Sequence, residues 1–131
     1  MPHQAMIPAI GAAVGGYLLL SACGLLARGS ADAFAEGLRA NAAGRHAVAG
    51  LAFFIGIAVV AVAAPFRTPV AAGLGLVGGW WLLEGAVLLA FDARAVRPDA
   101  AVHLRRMNLI ALPAGAALLA ASLLDLAKVL P

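Results

Sequence analysis

Glu84 is the one acid set deep within an apolar stretch, and it follows Trp80 and Trp81 by one helical turn. A carboxyl group inside a membrane segment is expensive and normally faces a partner, a water-filled cavity or a proton path. It is tolerated there when it is protonated through desolvation or paired with a cation. The two indoles offer aromatic walls and N–H donors that also want partners. At helical spacing Val77, Trp80, Trp81, Glu84 and Leu88 share one face. The functional reading is a pocket in which Glu84 serves as acid, base or proton carrier. The structural reading is a carboxyl that locks helices together by bonding to a neighbouring Arg, Asn or Ser. Either way, Glu84 is expected to point inward.

Its candidate companions stand at the ends of other apolar runs. Arg45 and His46 precede one run, and His103, Arg105, Arg106 and Asn108 precede or open another. Asn108 lies just inside its run and is the expected companion of Glu84. The candidate ligand-binding set is therefore Trp80, Trp81, Glu84, Asn108, Arg45, His46 and Arg106, with Glu84 as the candidate catalytic residue. Two histidines at one membrane level suit the axial positions of a haem. No His/Glu pair has zinc spacing, however, and both histidines lie where no ligand is required. The sequence implies no cofactor and no metal. Nucleophilic triads, phosphate-cradling glycine loops and paired catalytic carboxylates are absent, so no reaction is specified.

The elements that must position these residues follow from composition. Of 131 residues, 64% are hydrophobic and 11% charged, against roughly a quarter charged in a soluble domain. That excludes an ordinary soluble fold and excludes disorder. The net charge of +3 reads as membrane topology rather than nucleic-acid binding, because there is no basic and aromatic platform. A bilayer core of about 30 Å needs roughly 20 apolar residues in a helix. Four runs satisfy this, near 7–27, 46–65, 70–91 and 107–127, the third with Glu84 inside it. Nothing alternates with period two, which argues against a β-barrel. The fold class is all-α: one domain, an antiparallel bundle of four transmembrane helices.

The connections agree. Asp32 to Asn41 reads as a short surface helix. Pro65 to Pro69 reads as a tight turn, because two prolines at that spacing stop one helix and start the next. Asp92 to Arg106 reads as a polar loop holding Pro98. The two longer loops carry Arg28, Arg39, Arg45, Arg94, Arg97, Arg105 and Arg106, against Arg67 and Lys128 on the other side. This bias places the longer loops in the cytoplasm and both termini outside it. Asp125 and Lys128, three apart, read as a surface pair. Gly11 with Gly15 and Gly75 with Gly79 have GxxxG spacing, and Ala52 with Gly56 and Ala111 with Gly115 repeat the small-xxx-small pattern. Such faces let helices approach closely in lipid, within the bundle or between subunits. Leu20-Ser21-Ala22-Cys23 has the form of a lipoprotein box, but no basic region precedes it. Cys23 is therefore expected to pack as a small apolar residue; as the one cysteine, it has no partner for an internal disulfide.

Glu36-Gly-Leu-Arg39, the Ala43-Gly44-Arg45-His46-Ala-Val-Ala-Gly50-Leu51 run, Glu84 and His103 carry a resemblance across most of the chain. With them the chain resembles small uncharacterised bacterial four-helix integral membrane proteins, loosely of the DoxX-like kind. That resemblance implies a four-helix membrane fold and no settled activity. Leu38-Arg39-Ala40-Asn41 is similar to the second-helix motif of the membrane-associated eicosanoid and glutathione metabolism proteins. Gly44 stands where that motif has a glutamate, which removes a glutathione-site residue. Small multidrug exporters also have four helices and one membrane glutamate, but theirs lies in the first helix.

The leading functional reading is a binding or accessory subunit of a membrane complex in the bacterial inner membrane. Its expected partners are the lipid bilayer, other membrane subunits or further copies of itself, a lipophilic small molecule, and no nucleic acid. The alternatives are a membrane enzyme acting on a lipophilic small molecule through Glu84, and a small proton-coupled transporter.

Overall fold

A computed structural model describes residues 2–27, 29–90 and 100–129. Among the described residues there are five helices: α1 (Pro2–Leu26), α2 (Ser30–Ala40), α3 (Ala42–Ala63), α4 (Pro69–Ala90) and α5 (Ala100–Val129). All but α2 are long and apolar enough to cross a membrane. The all-α bundle of four spans therefore stands. The expected spans match α1, α3, α4 and α5, with α5 starting seven residues earlier than its apolar run, at Ala100. Arg28, Phe91, Asp92, Arg94, Arg97 and Pro98, and with them most of the expected polar loop, lie outside the described residues.

Local chemistry sets the boundaries. Gly29 takes a left-handed φ of 78° at the corner between α1 and α2, where a side chain would be strained. The expected surface helix is α2, which turns its small residues Ala31 and Ala35 inward and its charges outward. Asn41 caps α3, its side-chain oxygen accepting from the Gly44 amide at 2.9 Å. Thr68 caps α4 by accepting from the Ala71 amide at 3.1 Å, with Pro69 in the first helical position. The expected turn between α3 and α4 is thereby confirmed, and it folds the Phe66 ring back onto Gly75.

The bundle is two tight antiparallel pairs, α1 with α5 and α3 with α4, joined more sparsely through α4. Glycines decide the tight contacts. A Cβ on Gly15 would lie 2.7 Å from the Leu119 amide nitrogen and 2.9 Å from the Gly115 oxygen. A Cβ on Gly78 would lie 3.0 Å from the Gly56 oxygen, and one on Gly85 2.7 Å from the Ala49 oxygen. Backbone approach of this kind is how helices associate where lipid gives no hydrophobic contrast. Gly11 and Gly15 stand at helix contacts as expected, but Gly75 meets the Phe66 ring and Gly79 faces open space. The α4 contacts run instead through Gly78 and Gly85, because helical spacing puts them, and not Gly79, on the side of α3. Val14, Val59, Ala63, Val70, Leu74 and Leu118 form the core where the pairs meet.

Ser122 adds a polar atom to this interior. It is fully buried beside Gly11, and its Oγ has no hydrogen-bond partner among the described residues. Removing an unsatisfied hydroxyl relieves its desolvation cost. Ser122→Ala is therefore expected to leave thermal stability unchanged or raise it by about 1 kcal/mol. A loss of that size in detergent melting would show that the hydroxyl is bonded after all.

Candidate functional site

Helix α4 splits the face expected of it. Val77 and Trp81 turn toward the core, where the Trp81 ring meets Tyr17 of α1 edge-on at 5.7 Å. Trp80 stands 48% exposed on the other side, with Leu76, Leu83 and Val87. Glu84 belongs to this outward stripe. The expectation of an inward-facing Glu84 is corrected: α4 spends its inward positions on Leu74, Gly78 and Gly85, and Glu84 is rotated away from them.

The carboxyl nevertheless has polar company. The Trp80 indole N–H, one turn earlier, and the His103 imidazole of α5 both lie within electrostatic range of it. Glu84 sits six residues before the end of α4 at Ala90, which is about 9 Å along a helix. Helix α5 is 30 residues long, about 45 Å, and exceeds the hydrocarbon core. Its first turns can therefore carry His103, Arg105 and Arg106 into the polar layer while its remainder still spans. All three are exposed. Glu84 is held at the inner margin of that collar, between α4 and α5.

The remaining candidates go elsewhere. Asn108 is buried as expected, but its side-chain amide donates to the Leu104 carbonyl of its own helix at 2.8 Å. This back-bond to the preceding turn uses a donor that Glu84 was expected to receive. Arg45 is buried, 4% exposed, and its Nη1 donates to the Leu38 carbonyl at 3.0 Å, tying α3 to α2. Arg105 closes the same end by pairing with Asp32 of α2. His46 is exposed, as is Cys23, which is not packed into the bundle as expected. Lys128 and Asp125 form the expected surface pair at 2.9 Å. Among the described residues no three His, Cys, Asp or Glu side chains gather as a metal site would need.

The structure thus brings Trp80, Glu84 and His103 together at one outward edge, with Arg106 one turn beyond His103 on α5. Trp81 turns to the core, and Asn108 and Arg45 bond elsewhere. Sequence reading missed Tyr17 and Ser122, because an aromatic or a hydroxyl in an apolar run carries no periodic signal. Farther along the same α4–α5 edge lies an apolar cavity of about 260 Å³ lined by Pro69, Val70, Gly73, Ala114, Ala117, Leu118 and Ala121. It contains no titratable group. This fold and this edge define a small helical integral membrane protein with an outward-facing polar site. No family model, curated protein or solved structure matches the chain.

Proposed function

We propose that this protein is a binding or accessory subunit of a membrane complex, engaging its partner sideways through the α4–α5 edge. The observation that supports this most is the outward position of Glu84 with Trp80. A polar site turned to the bilayer meets whatever lies beside the protein in the membrane plane, whereas an enzyme pocket needs walls that exclude competing contacts. The apolar cavity on this edge supplies surface and no reactive group. The enzyme and transporter readings draw on Glu84 alone. We also propose the bacterial inner membrane as location, with both termini outside the cytoplasm. Arg39, Arg45, Arg105 and Arg106 at the α2 end support that orientation. The DoxX-like resemblance is part of the same proposal.

A photo-crosslinking residue at Leu83, 62% exposed beside Glu84, tests the lateral reading. Leu51 on α3, equally exposed, is the control. In native membranes Leu83 is expected to give a discrete adduct, lipophile or polypeptide, and Leu51 only diffuse labelling. Equal, diffuse labelling at both positions would refute the lateral site.

A further inference from the structure

We propose that the α4–α5 edge is a phospholipid site selective for a primary-ammonium headgroup. The proposal rests on the lateral reading above and names its ligand.

Two pairs of side chains on the edge point the same way. Trp80 and Glu84 stand outward together, one turn apart. A carboxylate next to an exposed indole suits an ammonium group, which gains a charge-assisted hydrogen bond from the acid and a cation–π contact over the ring. On α5, His103 and Arg106 are exposed and three residues apart, hence on one helical face. An imidazole N–H and a guanidinium both donate to phosphate oxygens. The collar therefore holds an acceptor for an amine next to donors for a phosphodiester, the complement of a zwitterionic aminophospholipid. A lipid with phosphate and no amine would satisfy the α5 donors but bring no donor to the Glu84 carboxylate.

The cavity accounts for the tail. Gly73, on its wall, lies eleven residues before Glu84 on α4, about 16 Å along the helix axis. One leaflet of a core about 30 Å thick has acyl chains about 15 Å long. A tail whose headgroup rests at Glu84 thus ends in the cavity between Gly73 and Ala117. The small side chains there, Gly73, Ala114 and Ala117, leave the room that the tail fills.

Native mass spectrometry of the full chain, from detergent micelles containing equal amounts of dioleoyl phosphatidylethanolamine, phosphatidylcholine and phosphatidylglycerol, tests this. The wild type is expected to retain one phosphatidylethanolamine about tenfold more often than phosphatidylglycerol, with phosphatidylcholine between, since a quaternary ammonium cannot donate a hydrogen bond. Glu84→Gln is expected to bring the three lipids to parity. Ala117→Phe is expected to lower retention of all three without changing their order. Should Glu84→Gln elute as aggregate, Glu84→Leu takes its place with the same expected parity. Equal retention of the three lipids by the wild type overturns the ammonium selectivity. The lateral reading then survives if Ala117→Phe still lowers retention and the Leu83 probe still gives its adduct. Retention of the selectivity by the Glu84 variants, or unchanged retention by Ala117→Phe, overturns the assignment of the site.

Discussion

Gly15→Leu and Gly56→Leu are each expected to cost about 3 kcal/mol or more, a large fraction of the stability of a small bundle. At Gly15 the new side chain would start 2.7 Å from the backbone nitrogen of Leu119. At Gly56 it would start 2.7 Å from the Gly78 oxygen and 2.9 Å from the Leu82 Cα. These neighbours are backbone, so no rotamer change relieves the clash and the helices must separate. Separation forfeits the dispersion contacts along the whole pair, which in lipid are the main source of association. Gly79→Leu is the matched control: nothing lies within 4 Å of its Cβ direction, and the change is expected to stay within about 0.5 kcal/mol. Thermal melting of the three variants in one detergent reads the comparison. Equal losses at all three positions would show that contact geometry does not govern these sites, since leucine has the better helix propensity everywhere. Preserved stability at Gly15 and Gly56 would show that the close pairs are not the ones drawn here.

The contrast between Gly78 and Gly79 shows where sequence reading stops. Four apolar runs, a short surface helix and a proline-bounded turn were legible, because length, composition and turn chemistry are local properties. GxxxG spacing correctly marked α1 as close-packed through Gly11 and Gly15. On α4 the same spacing selected Gly75 and Gly79, although Gly78 and Gly85 make the helix contacts. All four glycines sit in an apolar run whose one charged residue, Glu84, does not by itself tell which side faces lipid. A soluble helix would declare its buried stripe by periodicity; a membrane helix bathed in lipid has no reason to. The candidate site met the same obstacle. Trp80 and Trp81 are adjacent in sequence and point about 100° apart on a helix, so only packing could assign one to the core and the other to the edge. Asn108 was legible as buried, while its choice of the Leu104 carbonyl over Glu84 depended on how far α5 extends before the bundle begins.

That reassignment changes what Glu84 should do when replaced. As an inward lock, Glu84 would leave a buried partner uncompensated on substitution, at about 3–5 kcal/mol. On the outer edge it gives up only the Trp80 indole contact and an exposed attraction to His103, each worth about 1 kcal/mol or less. Opposing that loss, an apolar residue in this part of the span avoids the cost of placing a carboxyl near lipid. Glu84→Leu is therefore expected to melt within about 1 kcal/mol of the wild type, or above it. Binding should respond quite differently, because the ammonium or donor group of a partner would face leucine in place of an acceptor. The discrete adduct at Leu83 is expected to fall to the diffuse level of Leu51 in this variant. Measuring both quantities on one protein separates the two roles: lost stability with the adduct intact would make Glu84 a structural lock, whereas preserved stability with the adduct lost makes it the recognition group of a lateral site.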